Sequence, residues 1–129
     1  MKIHRPEFLS LNDSRGDLEG VMHFDLDNLF SFLVTELPSD TFLKVKQLLK
    51  GKVAILKNIS VSEQGVGNGN SLVSDFLEQC SQRGTDYVCL VADLNEEQLP
   101  GFNLVKWYES FGFEKVGESY AGPFMVMEI

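Results

Sequence analysis

The feature that most constrains this chain is a strand, a glycine-rich turn and a helix in immediate succession. Lys52–Val61 reads as a strand, with Val53, Ile55, Ile59 and Val61 expected on one face. The turn Ser62-Glu63-Gln64-Gly65-Val66-Gly67-Asn68-Gly69-Asn70-Ser71 follows. Leu72, Val73, Phe76, Leu77 and Cys80 then recur at helical spacing, so Asn68–Arg83 is expected to be an amphipathic helix ended by Gly84. Amides at a helix start have no intrahelical partner, and the dipole there favours negative charge. Glycine adds close approach, because no Cβ stands in the way. An anionic cofactor is therefore expected on this turn.

Two common phosphate-binding patterns do not fit. A Walker loop ends in Gly-Lys-Ser/Thr, whereas this turn ends in Gly-Asn-Ser. A dinucleotide fingerprint spaces its glycines as Gly-x-Gly-x-x-Gly, whereas Gly65, Gly67 and Gly69 alternate. A plain flexible loop ahead of a helix is the remaining reading of the turn taken alone.

The rest of the chain supplies the frame. Tyr87–Ala92 is an unbroken apolar run, the mark of a central strand buried on both faces. Asp93–Pro100 reads as a polar loop, and Asn103–Phe111 as a short helix with Leu104, Val105, Tyr108 and Phe111 apolar. Gly112 is placed to end that helix in a left-handed conformation. Strands at about Glu114–Ser119 and Phe124–Ile129 close the chain through Ala121-Gly122-Pro123. Upstream, strands are expected around Glu7–Leu11 and Leu18–Asp25, with turn chemistry in residues 12–17. A helix carrying Leu29, Phe30, Leu33, Val34 and Leu37 follows, capped by Asp27 or Asn28 and stopped by Pro38. A second helix with Phe42, Val45, Leu48 and Leu49 is expected next, capped by Ser39 or Asp40 and ended by Gly51. There the alternation Leu43-Lys44-Val45-Lys46 also admits a hairpin. The class is α/β or α+β with a mixed sheet.

At 129 residues, 43% of them apolar, the chain suits one globular domain, 1–129. No apolar run is long enough to span a bilayer, and the first residues carry no secretory apolar segment, so a cytoplasmic protein is expected. Cys80 and Cys89 sit in apolar patterns and read as small buried residues of a reducing compartment. No metal is assigned. The net charge of −8 argues against nucleic acid and favours cationic partners such as amines or basic peptides. The same charge opposes an anionic cofactor, so local backbone dipoles must outweigh the global field at the turn.

Gln64-Gly65-Val66-Gly67-Asn68-Gly69 fits the pattern Gln/Arg-x-x-Gly-x-Gly. Downstream, Asn103 opens a short helix that carries Tyr108 and runs into Gly112-Phe113 and a strand. In this order, the two elements resemble the GNAT (general N-acetyltransferase) superfamily over about Lys52 to Ile129. The resemblance implies a mixed, mostly antiparallel sheet with a central splayed parallel strand pair flanked by helices. It makes 52–129 an acetyl-coenzyme A-binding core and 1–51 a variable acceptor-side half. It implies that the turn residues Gln64, Gly65, Val66, Gly67, Asn68, Gly69 and Asn70 grip the pyrophosphate of acetyl-CoA. Main-chain groups of Ile59 and Val61 would hold the pantetheine arm, Asn103 would contact that arm, and Tyr108 would protonate the departing thiolate. From the residues alone, Tyr108 reads first as a core aromatic, ahead of a proton donor, and Asn103 can serve simply as an N-cap; Trp107 and Phe111 read as packing. The implied function is N-acetyl transfer to a primary amine of a small molecule or protein. A cofactor-binding module without catalysis is the alternative, and a homodimer through the closing strands Glu114–Ile129 is a further implication.

Three departures from the family pattern stand out. The strand before the turn carries Lys57 and Asn58 where many members have a Glu, leaving Asp25, Glu36 and Asp93 as remote candidates for a base. Gln64 replaces a frequent Arg. The N-terminal half runs strand–strand–helix–helix, unlike the family's usual helix pair followed by strands.

Overall fold

The structure, a computed structural model, describes residues 5–94 and 101–129. Its elements run β1 (Glu7–Asp13), β2 (Gly16–His23), α1 (Leu26–Glu36), α2 (Ser39–Leu48), β3 (Val53–Val61), α3 (Asn68–Gln82), β4 (Tyr87–Val91), α4 (Leu104–Glu109), β5 (Glu114–Glu118) and β6 (Pro123–Glu128). The six strands form one sheet in the order β1-β2-β3-β4-β6-β5. Only β3 and β4 are parallel; every other neighbouring pair is antiparallel. Of the two closing strands, β6 is paired on both sides, so only β5 offers a free edge. Most of the polar loop expected at Asp93–Pro100 lies outside the described residues.

Each face of the sheet carries its own core. On one, Leu72, Phe76 and Cys80 of α3 and Leu104 and Tyr108 of α4 pack on Ala54, Leu56, Leu90 and Met125. On the other, Leu29, Leu33 and Val45 of α1 and α2 pack on Val53, Ile55, Cys89, Phe124 and Val126. Phe76 is fully buried, and Gly20 of β2 makes room for it: a Cβ there would stand 2.4 Å from its ring. Truncating Phe76 to Ala would cost about 3–5 kcal/mol.

The expectation that Val53, Ile55, Ile59 and Val61 share a face is overturned. Glu19 pairs with Asn58 and Gly20 with Leu56, so Lys57 is an extra residue on β3. A bulge of this kind reverses the side-chain phase beyond it. Val53 and Ile55 face α1 and α2, whereas Ile59 and Val61 pack on the α3 side.

The helix caps also differ from expectation. Asp25, not Asp27 or Asn28, caps α1, accepting from the Asp27 amide at 2.9 Å. Asp25 therefore ends the connection after β2 instead of extending the strand. For α2 neither Ser39 nor Asp40 is the cap; Pro38 holds that position and no side chain bonds the free amides. The α2 segment is helical, and tertiary packing decides against the hairpin. Val45 and Leu49 are buried while Leu48 is exposed, and Thr41 fits against Gly117 of β5, where a Cβ would lie 2.6 Å from its Oγ1. The β1–β2 turn is tighter than expected, with only Ser14 and Arg15 between the strands.

Candidate active site

β3 and β4 pair from Val53↔Tyr87 to Leu56↔Leu90 and no further. β3 continues to Val61 with β2 on one side only, where Leu18↔Ile59 and Gly16↔Val61 are in register. The strands therefore separate after Leu56, and the β4-facing edge of residues 57–61 is free of strand partners. A cleft of about 520 Å³ opens on the α3 side of this split. Ile59, Ser60 and Val61 form one wall, the glycine-rich turn the floor, and Phe102, Leu104, Trp107 and Tyr108 the opposite wall.

The turn is shaped by backbone conformation. Gly65 and Gly67 both have φ of +84°, a left-handed geometry that disfavours side chains, and Gly67 is the N-cap of α3. Among the described residues, a Cβ on either glycine would meet no atom within 4 Å, so the space in front of them is open. The first intrahelical bond runs from the Ser71 amide to the Gly67 carbonyl at 3.1 Å. The amides of Asn68, Gly69 and Asn70 precede that ladder and lie at the positive end of the helix dipole. Successive amides in this conformation form a concave anion site. The open cradle fits a diphosphate held by main-chain amides.

Charge at the cradle runs the other way. Glu63 is the sole charged side chain among the described residues that line the cleft. Arg15, in the β1–β2 turn, reaches the first turns of α3 and donates to Ser71 Oγ and Asp75 Oδ2, each at 2.6 Å. It also pairs with Asp13, whose carboxyl is lowered to about 2 by the side-chain and then the backbone hydrogen bonds of Arg15. Arg15 is thus neutralised by two carboxylates and serves as a brace: its carbonyl accepts from the Ser62 amide at 2.9 Å.

Tyr108 is 5% exposed and lines the cleft, its ring 4.9 Å from that of Trp107 and 6.0 Å from that of Phe113. α4 is shorter than the expected Asn103–Phe111: it ends at Glu109 with Ser110 as its C-cap, and Gly112 (φ +113°), beyond the cap, turns the chain toward β5. Asn103 caps α4, its side chain accepting from the Lys106 amide at 3.0 Å. Of the residues expected at the site, Ile59, Val61, Gln64, Gly65, Gly67, Asn68, Gly69, Asn70 and Tyr108 line the cleft. Asn103 does not, although Phe102 and Leu104 beside it do, and Val66 is 58% exposed and outside the lining.

Trp107 has a larger part than packing. Its indole N–H donates to Asn70 Oδ1 at 2.6 Å, tying α4 to the cradle, and a Cβ on Gly69 would crowd its ring at 3.1 Å. The signal was present, since Trp107 stands at i+3 from Leu104 on the face that carries Tyr108. Among the remote carboxylates, Asp25 caps α1 beside His23, which pairs with Val53 at the end of β3 away from the split. Glu36 lies at the other end of α1, its carbonyl accepting from the Tyr120 amide at 3.3 Å, and Asp93 follows β4. Cys80 and Cys89 are free and buried; burial pushes the Cys80 thiol up to about 11 and the Cys89 thiol higher, which suits packing and not nucleophilic work.

A mostly antiparallel sheet with one splayed parallel pair and an amide cradle after its first strand defines a GNAT-like fold. No family model matches the chain, and no curated protein matches it in sequence. Among solved structures it is similar to the anti-CRISPR protein AcrVA5, at TM-score 0.58 and 14% identity over 94% of this chain and 98% of that one. It is also similar to arylalkylamine N-acetyltransferase 2 from Aedes aegypti, at TM-score 0.58 and 16% identity over 89% of this chain and 68% of that one. Both likenesses are of fold. Among the described residues no helix is long and apolar enough to cross a membrane.

Proposed function

We propose that this protein is an acetyl-coenzyme A-dependent N-acetyltransferase acting on a primary amine. The observation that carries the reading is the meeting, in one cleft, of the β3–β4 split, the amide cradle and Tyr108. The amides of residues 65–70, with Gln64 beside them, would hold the pyrophosphate. The unpaired edge of β3 at Ile59 and Val61 would align the pantetheine arm, with Asn103 at most a distant contributor. When bound, the cofactor supplies an activated acetyl thioester. The chain's own groups then do two things: a main-chain N–H of Ile59 or Val61 polarises the thioester carbonyl, and the Tyr108 hydroxyl holds the proton that the leaving sulfur needs.

The fold neighbour named as an arylalkylamine N-acetyltransferase favours a small amine as acceptor. A protein partner is the second reading, favoured by the near-complete mutual coverage with a neighbour named as an anti-CRISPR protein. The buried free cysteines fit a reducing, cytoplasmic setting, and the free edge of β5 is the place for a homodimer.

The test is release of free thiol from acetyl-CoA in the presence of an amine panel. Tyr108→Phe is expected to lower turnover by roughly 10²–10⁴-fold; an unchanged rate removes Tyr108 from the reaction. A thermal shift with cofactor but no transfer to any amine or protein would instead mark a cofactor-binding module that has lost catalysis.

A further inference from the structure

The cleft is lined by three side-chain carboxamides, on Gln64, Asn68 and Asn70. A carboxamide has a donor end and an acceptor end, so what it offers a ligand depends on which end its neighbours hold. Asn68 turns its donor end back into the loop, to the Glu63 carbonyl at 3.3 Å and Ser62 Oγ at 3.5 Å. Asn70 is held from the opposite end: the Trp107 indole N–H donates to its Oδ1 at 2.6 Å. An indole nitrogen is a donor only, so this bond cannot form with the carboxamide flipped. Oδ1 and Nδ2 point apart from Cγ. With Oδ1 turned to the α4 wall, Nδ2 is turned away from it, toward the cleft that Asn70 lines. Among the described residues Asn70 Nδ2 meets no acceptor.

We propose that Trp107 is a positioning residue, which locks the Asn70 carboxamide so that its side-chain N–H groups face the diphosphate, an assignment that rests on the coenzyme A reading of this cleft. The indole is itself fixed before it meets Asn70. Its ring sits over Gly69, where a Cβ would stand 3.1 Å from Cζ2, and against Phe111 at 5.2 Å, nearly perpendicular. The lock has a use that follows from the charges around the cradle. Glu63 is the sole charged side chain among the described residues lining the cleft, and Arg15 is held by Asp13 and Asp75. Among the described residues the anion is therefore met by neutral donors, whose directions decide the outcome. A flipped Asn70 would set Oδ1 against a phosphate oxygen, two acceptors facing each other. Trp107 removes that state, and residue 70 then suits a group whose oxygens accept and do not donate.

The test is a double-mutant cycle on the full chain, titrated with coenzyme A by calorimetry. Asn70→Ala should raise Kd about tenfold, as expected for a lost hydrogen bond to a charged group. Asn70→Asp keeps an acceptor for the indole but removes the donors and adds like charge, so its Kd should rise about 100-fold. Trp107→Phe should raise Kd about threefold to fivefold by freeing the carboxamide to rotate, and should add nothing once residue 70 is alanine. The chain's one tryptophan gives a single indole N–H NMR signal. That signal should hold its place in Asn70→Asp and move in Asn70→Ala. Asn70 is exposed, so its variants should fold, and they carry the test alone if Trp107→Phe is unstable. A Trp107→Phe effect of the same size in both backgrounds, zero included, overturns the positioning role. Parental Kd in Asn70→Asp does the same. Both results leave the coenzyme A reading standing, whereas absence of any binding by the parent chain overturns both.

Discussion

Gly67 and Gly84 form a matched pair for testing the cradle. Both have positive φ, +84° and +73°. Neither has a crowded Cβ position: nothing lies within 4 Å at Gly67, and only Lys52 Nζ, at 3.8 Å, at Gly84. They flank opposite ends of α3, and only Gly67 lines the cleft. Substitution by Ala at either site imposes left-handed strain of about 1–2 kcal/mol, which for a chain of this size lowers Tm by about 4–8 °C. If the cradle binds a diphosphate, Gly67→Ala also places a methyl group in open cleft space and disturbs the amides that follow. Its Kd for coenzyme A should rise at least tenfold, about 1.4 kcal/mol, while Gly84→Ala keeps the parental Kd. Calorimetric titration well below Tm separates affinity from stability. Equal Kd values for the two variants, at equal loss of Tm, would refute the reasoning, because both glycines would then only shape turns.

Other consequences can be measured in the same preparations. Glu63→Gln removes the like charge beside the cradle and should tighten coenzyme A binding about threefold to fivefold at low salt, since one unit-charge contact in water is worth about 1 kcal/mol at 4 Å; the gain should fade in high salt. Trp107→Phe loses the 2.6 Å bond to Asn70 and should cost about 0.5–1.5 kcal/mol in stability, with weaker cofactor binding alongside it. His23 is buried with Nδ1 lacking a hydrogen-bond partner, and its pKa is lowered, first by burial and then by Lys57, against an opposing Asn28 hydrogen bond. The unfolded chain, whose imidazole titrates near the ordinary 6.5, therefore binds a proton more readily than the folded one, and stability should fall as pH drops from 7.5 to 5.5. His23→Asn should flatten that part of a Tm-versus-pH curve, and an unchanged slope would remove His23 as its source.

Much of the frame was legible because it is local. The strand–turn–helix around Gly65 and Gly67, the apolar Tyr87–Val91 strand and the existence of a short helix carrying Tyr108 follow from apolar spacing and glycine chemistry, although that helix stops at Glu109, before Gly112. What escaped depends on neighbours distant in sequence. The β3 bulge arises from register with β2, although the consecutive polar residues Lys57 and Asn58 inside an apolar run already broke a strict alternation. The α1 cap escaped because the apolar stripe was read from Leu29, whereas the helix begins at Leu26. At the site, residue type located the cradle and Tyr108, but not which backbone positions face the cleft. Val66 turns outward, Asn103 is occupied as a cap, and Trp107 joins the wall through its bond to Asn70. The split between β3 and β4 leaves no mark in the residues themselves and came only with the family resemblance.

The most direct test is titration of the intact protein with coenzyme A, followed by amide NMR and calorimetry together. The account predicts saturable heat at one equivalent, with the largest shifts confined to the amides of Gly65, Gly67, Asn68, Gly69 and Asn70 and to Ile59 and Val61 on the open strand edge. Flat calorimetry with unmoved signals at those residues would contradict it.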